Sequence, residues 1–156
     1  MAEKLIEEKI NESLRGDSLA NALDLAAFIR ANGMGFTSND DGEGWAVGGT
    51  VGDSLGYMMI NGEPDMPGPW TFWFNSCDFG GGETADVELK ETAWAHSSVC
   101  ANFSSGGKIC GCGDQPGLHG TIFGREFENR CHSPLMFTDP GAKTLEHLKK
   151  LILMLK

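Results

Sequence analysis

Nearly all of the glycines in this chain lie between residues 33 and 140, and they divide that stretch into short apolar runs. Runs of this length, each followed closely by turn residues, are typical of β-strands. Links of a few residues allow antiparallel hairpins, whereas parallel strands need longer crossover connections. The glycine distribution therefore predicts a mostly antiparallel sheet in the middle of the chain.

Eight candidate strands follow from these apolar runs. Their predicted bounds are 45–51, 56–61, 70–75, 85–91, 93–103, 108–112, 120–127 and 134–138. In the segment 87–103, most apolar residues share one parity, as expected where side chains alternate between the two faces of a sheet. That alternation is the basis for the strands predicted at 85–91 and 93–103.

The two ends of the chain have a different pattern. In residues 2–15, 18–31 and 140–155, apolar side chains recur every three or four positions with polar residues between them, which predicts amphipathic helices. The expected fold class is α+β, with an N-terminal helical hairpin, an antiparallel β-sheet meander and a C-terminal helix packed on the sheet. With 156 residues, no linker and no internal repeat, residues 1–156 are predicted to form one domain.

The charge of the chain is concentrated in one region. Residues 37–91 contain 11 acidic residues and one basic residue, Lys90, and therefore carry a charge of −10, which equals the net charge of the whole chain. Nucleic-acid binding draws most of its affinity from Lys and Arg side chains that neutralise phosphates. The charge pattern disfavours a nucleic-acid partner and indicates a solvated acidic surface, or a surface that docks a basic partner.

The compartment is predicted from the N-terminus, the hydropathy and the cysteines. The first ten residues are charged and lack the apolar core of a signal peptide, and no stretch reaches the roughly 18 apolar residues of a membrane span. Five cysteines, an odd number, fit free thiols or metal ligands better than a secreted disulfide framework. We expect a cytoplasmic protein that does not interact with membranes.

A cysteine and histidine cluster between Trp94 and His132 is the main concentration of reactive side chains. Cys110 and Cys112 would project both sulfurs from one face of a strand, with Cys100 opposite them and Cys131 and His132 arriving from a later strand. Four ligands of this type suffice for zinc or an iron–sulfur cluster, although the spacing lacks a C-x-x-C pair. The competing interpretations are cysteines buried in a β core and a reactive thiol.

A second concentration is aromatic and methionine-rich. Its predicted ligand-binding residues are Trp45, Met58, Met59, Trp70, Trp73 and Trp94. Alternation along the strand predicts that Trp70, Phe72 and Phe74 share one face and that Trp73 lies on the other. Because an indole N–H usually has a polar partner, four tryptophans suggest a partly open cavity wall, whereas the competing interpretation is an ordinary core.

These features favour a non-enzymatic protein that binds a small apolar ligand or a partner protein through its Trp/Met-rich sheet. The sequence G-D-S-L-G at 52–56 matches the G-x-S-x-G pattern of a nucleophile elbow. Such an elbow requires a helix directly after the serine, and the sequence that follows does not predict one. The alternative function is metal binding, with zinc or an iron–sulfur cluster, or thiol-dependent chemistry, at Cys100, Cys110, Cys112, Cys131 and His132. The ligand and the oligomeric state are not predicted.

Overall fold

The computed structural model describes residues 5–39, 44–49, 53–60, 68–79, 85–99 and 118–155. The helices are α1 (Ile6–Ser13), α2 (Gly16–Ala31), α3 (Val87–Ala95) and α4 (Ala142–Leu155). The strands are β1 (Phe36–Ser38), β2 (Gly44–Val47), β3 (Gly56–Ile60), β4 (Trp70–Phe74), β5 (Ser97–Val99), β6 (Leu118–Ile122) and β7 (Arg125–Thr138). The candidate strand at 108–112 lies outside the described residues.

The strands of the described residues form one antiparallel sheet. The strand order is β1-β2-β3-β4-β7-β5. Strand β6 is not part of this order and pairs with β7. A pair of helices precedes the sheet and α4 follows it, so the predicted α+β class and its arrangement of elements are confirmed. Within the described residues, no helix combines the length and apolar character that crossing a membrane requires.

The strand predicted at 85–91 and the start of the strand predicted at 93–103 are wrong, because the chain forms helix α3 over Val87–Ala95. Ser97–Val99 is a strand, and residues 100–103 lie outside the described part of the chain. The carboxylate of Asp86 accepts a hydrogen bond from the Leu89 backbone N–H at 2.7 Å, which caps the helix. Leu89 and Ala93 are buried and lie four residues apart. That spacing places two side chains on one face of a strand and also on one face of a helix, so the parity pattern alone could not decide between them.

The single strand predicted at 120–127 is also wrong, because a tight turn divides it into the end of β6 and the start of β7. Phe123 and Gly124 have φ angles of +48° and +82°. Positive φ at both central residues is the geometry of a two-residue type I′ hairpin. The Phe123 ring is buried and stacks on Phe79, with ring centroids 5.2 Å apart, which stabilises a backbone conformation that phenylalanine rarely adopts.

The hydrophobic core lies between the helices and one face of the sheet. Buried side chains of the helices and of strands β2, β3, β4 and β7 belong to a single cluster. The helical contribution includes Ile6 and Ile10 of α1, Leu25 and Ile29 of α2, Leu89 and Ala93 of α3, and Leu148 and Ile152 of α4. We call the sheet face in this cluster the helix-covered face, and the opposite face the second face.

Candidate functional site

The six predicted ligand-binding residues separate into three groups in the structure. Trp45, Met58 and Trp70 lie on the helix-covered face, and all three side chains are almost completely buried in the core cluster. Met59 and Trp73 are half-buried on the second face. Trp94 is not in the sheet, because it belongs to α3. Contact of all six with one ligand stays a prediction, but their separation gives the groups different surroundings.

The helix-covered face is a packed aromatic layer. Trp45 lies opposite Met58, Met58 opposite Phe72, and Phe72 opposite Phe137 on successive strands. The rings of Phe72 and Phe74 meet edge to face with centroids 5.0 Å apart. Interlocking of this kind gives the packing density of a protein interior. These side chains stabilise the fold.

Trp70 has an unusual polar feature within this layer. Its Nε1 is buried and has no hydrogen-bond partner among the described residues. A buried donor without a partner costs about 1–3 kcal/mol. The burial of the indole ring therefore has to offset the desolvation of its own N–H group.

The second face carries a row of large side chains across three neighbouring strands. Tyr57 of β3 pairs with Trp73 of β4, and Trp73 pairs with Met136 of β7. The Tyr57 and Trp73 ring centroids are 5.8 Å apart with a tilt of 37°. Met59 lies on the same face two residues after Tyr57. We call Tyr57, Met59, Trp73 and Met136 the aromatic row.

Small side chains surround the aromatic row. Ala46 pairs with Tyr57, and Thr71 pairs with both Met59 and Thr138. The Thr71 and Thr138 hydroxyl oxygens are 3.4 Å apart, within hydrogen-bond distance. Ala46 and Thr71 are themselves buried, so the larger side chains of the row are the more exposed ones on this part of the face.

The aromatic row is separate from the hydrophobic core. The cluster that joins the helices to the sheet does not include its four residues. Met136 is 38% exposed, the largest exposure of the four. Sequence reasoning identified Met59 and Trp73 but missed Tyr57 and Met136, because only the strand register shows that these two flank Trp73.

Trp94 occupies a third environment, at the junction of α3 with the β6–β7 hairpin. Its Nε1 donates a hydrogen bond to the Ile122 carbonyl oxygen at 2.7 Å. The guanidinium of Arg125 lies 5.5 Å from the Trp94 ring and 5.4 Å from the Phe127 ring. These contacts tie the helix to the hairpin, so Trp94 is positioned as a structural link.

A cleft between α3 and α4 contains two histidines. The Thr92 hydroxyl lies 2.7 Å from His147 Nδ1, and the Thr92 carbonyl oxygen lies 2.7 Å from His96 Nδ1. His147 Nε2 is 4.0 Å from a Glu88 carboxylate oxygen. His147 is buried, with a relative exposure of 8%. The unpredicted helix α3 covers it.

The predicted metal centre cannot be located in the described part of the chain. Cys100, Cys110 and Cys112 lie outside the described residues, and of Cys131 and His132 only the backbone, within β7, is described. The described residues contain no group of three or more His, Cys, Asp or Glu side chains placed to hold a metal ion. The metal hypothesis stays a prediction, which zinc and iron analysis of protein purified under reducing conditions tests.

Comparison with known proteins gave no match, either to a protein-family model, to a curated protein or to a solved structure. The functional interpretation of this chain therefore depends on its own residues.

Proposed function

We propose that this protein is a non-enzymatic, cytoplasmic binding protein that recognises an apolar surface of a partner protein through the aromatic row. The observation that carries the proposal is the position of Tyr57, Met59, Trp73 and Met136 together on the second face, outside the core cluster. The odd number of cysteines, five, favours a reducing compartment.

The composition of the aromatic row supports a protein partner. Tyr, Trp and Met are enriched at the centres of protein interfaces, where they dominate the binding energy. Methionine side chains adapt their shape to a partner because they are unbranched and flexible. A row that extends across three strands presents about 10 Å of sheet surface, since neighbouring strands are about 4.8 Å apart. A row of this width suits a protein better than a small ligand.

The charge of the chain further limits the kind of surface that the proposed partner presents. The region 37–91, which contains Tyr57, Met59 and Trp73, carries a charge of −10. Acidic surfaces slow association with acidic partners and favour association with basic ones. The proposed partner therefore presents an apolar patch within a neutral or basic surface, and nucleic acids are disfavoured.

A selection experiment tests the proposal while the natural partner is still unidentified. A displayed library of small folded domains is selected against the intact protein, and the binding site of the selected domains is mapped by NMR of ¹³C-labelled methionine methyl groups. We expect binding to shift the methyl signals of Met59 and Met136 and to leave the core methyl of Met58 unchanged. Selected domains whose binding shifts neither surface methyl would contradict the proposal.

Matched variants then measure the contribution of the row. Trp73→Ser and Met136→Glu alter the second face, whereas Leu153→Ser alters a side chain of α4 that is 44% exposed. If Trp73 is a central contact, its removal should weaken binding by about 30-fold or more, the effect of a 2 kcal/mol hot spot. Leu153→Ser should change affinity less than about twofold. Equal losses of affinity in the second-face variants and in Leu153→Ser would point to general destabilisation. Thermal unfolding of each variant would show such destabilisation.

A further inference from the structure

A separate cavity lies between the described ends of the β2–β3 connection, at 48–49 and 53–55, and the C-terminal end of α4. It has a volume of about 500 Å³, and its apolar lining comes from Met34, Leu55 and Leu155. Sites for small molecules have volumes of about 300–1,000 Å³. Polar and apolar atoms contribute about equally to the lining of this cavity. We call it the hairpin cavity. It contains no residue of the aromatic row.

The apolar lining of the hairpin cavity is continuous with the core. Met34, Leu55 and Leu155 are half-buried and pack against the hydrophobic cluster. Each side chain therefore has one side fixed by the core and another side that contributes to the cavity wall. Because the wall is anchored in this way, a ligand would bind without first ordering it, which reduces the entropic cost of binding.

The backbone wall of the hairpin cavity is formed by Gly48 and Gly49. Gly48 has a φ of +78°, and a Cβ there would lie 3.5 Å from the Leu55 Cβ and 3.8 Å from the Met34 Sδ. A Cβ at Gly49 would clash with the Asp53 carbonyl oxygen. Glycine at both positions lets the chain turn closely at this end of β2 and keeps side-chain atoms out of the space beside Leu55 and Met34.

Hydrogen bonds hold the described ends of the β2–β3 connection in place. The Gly48 N–H donates to the Gly35 carbonyl oxygen at 3.1 Å, and the Thr37 hydroxyl donates to the Gly49 carbonyl oxygen at 3.1 Å. On the other strand, the Leu55 N–H donates to the Val47 carbonyl oxygen at 2.9 Å. The described part of the cavity wall is thus connected to strands β1, β2 and β3.

The polar part of the lining consists of Asp53 and Ser54. The Asn75 side-chain amide donates to the Ser54 carbonyl oxygen at 3.2 Å and to the Ser54 hydroxyl at 3.0 Å, which fixes this segment. Asp53 is exposed and is the ionisable residue among the described residues of the lining. Its carboxylate places a negative charge at the opening of the cavity, which attracts a cation.

We propose that the hairpin cavity binds a small amphipathic amine. The apolar body of the ligand packs against Met34, Leu55 and Leu155, and its cationic nitrogen lies at the Asp53 side of the opening. The site is independent of the aromatic row, since the two share no residue. Either proposal can therefore fail without the other.

Three ligands of equal chain length test the chemistry of the site: octylamine, octanol and octanoate. Each is titrated into the intact protein while the methionine methyl signals are recorded, and each signal is assigned from its Met→Leu variant. We expect octylamine to shift the Met34 signal and to leave Met136 unchanged. Octylamine should bind at least about threefold more tightly than octanoate, the size of one exposed charge contact. No shift at Met34, or equal affinities for amine and carboxylate, would overturn the proposal.

Charge variants separate a contact at Asp53 from general attraction to an acidic protein. Asp53→Asn should weaken octylamine binding about threefold and leave octanol binding unchanged. Asp78→Asn is the matched control, because Asp78 is an exposed acid outside the cavity lining and within the same acidic region. Equal losses in both variants would overturn the assignment of the cationic head to Asp53.

A filling variant tests the apolar part. Leu155→Trp adds a larger side chain to the cavity from the end of α4, so it should weaken the binding of all three ligands. Thermal unfolding reports whether the variant folds, and the Met58 signal reports whether its core is intact. A folded Leu155→Trp protein that binds octylamine and octanol as well as the wild type does would show that the ligands bind elsewhere.

Discussion

The two faces of the sheet contain the same kinds of residue and differ in what they contact. On the helix-covered face, Met58 and Trp70 are enclosed by helices and neighbouring rings. On the second face, Met59 and Trp73 are half-buried and outside the core cluster. Met58 and Met59 are adjacent in sequence. Residue type alone therefore does not separate a core residue from a surface residue in this protein.

Strand alternation explains the difference. Successive side chains of a strand point to opposite faces, so each strand contributes to both layers. The helices cover one layer because their apolar stripes need a large apolar surface to pack against. The proposed partner site rests on the Tyr, Trp and Met side chains that the second face retains outside this packing.

The tryptophan pair gives the largest expected contrast between the faces. Trp70→Ala should lower the free energy of unfolding by about 3–5 kcal/mol, because it leaves a large cavity in the core. Trp73→Ala, the matched change on the second face, should lower it by about 1 kcal/mol. Urea unfolding measures both. Similar losses for the two variants would show that the second face is as tightly packed as the core.

The methionine pair sharpens the comparison at adjacent positions of one strand. Met58→Ala should lower the free energy of unfolding by about 2–4 kcal/mol, whereas Met59→Ala should lower it by about 0.5 kcal/mol. Both variants have the same chemistry and the same backbone surroundings, so the difference reports burial alone. A reversed order would mean that the faces are assigned the wrong way round.

The smallest expected change in stability comes from an ion pair between helices α1 and α2. The Arg30 guanidinium hydrogen-bonds the Glu7 carboxylate and holds the pKa of that carboxyl below its ordinary value of 4.5. A lowered folded-state pKa gives a stabilisation that is present above about pH 4.5 and lost as the pH falls through the folded-state value. Because the pair is partly exposed, we expect it to add about 0.5 kcal/mol to the free energy of unfolding.

Glu7→Gln provides the measurement for this pair. The variant should be less stable than the wild type at pH 7, and the difference should shrink as the pH falls below about 4.5. Its binding through the aromatic row should be unchanged, since the pair links α1 to α2. A difference that persists unchanged at pH 3 would show that the carboxylate charge is not its source.

Local patterns predicted part of this fold correctly. Period-two alternation placed Trp70, Phe72 and Phe74 on one face and Trp73 on the other, as the burial of β4 shows. Helical periodicity identified the helices at both ends. These predictions succeeded because each depends on residues within one element, where the spacing of apolar side chains follows directly from backbone geometry.

Features that depend on distant residues could not be predicted in this way. The burial of His147 requires helix α3, whose Leu89 and Ala93 fit strand and helix equally by spacing. The hairpin cavity brings Met34, Leu55 and Leu155 together from positions far apart in sequence. The neighbours of Trp73 depend on strand register, which the sequence between β4 and β7 does not specify.

Solvent accessibility of the methionine methyl groups tests the difference between the two faces most directly. A soluble gadolinium chelate is added to protein with ¹³C-labelled methionine methyls, and the relaxation of each signal is measured. We predict strong broadening of Met136, intermediate broadening of Met59 and none of Met58, in the order of their exposure. Equal protection of Met58, Met59 and Met136 would contradict the assignment of the second face as a binding surface.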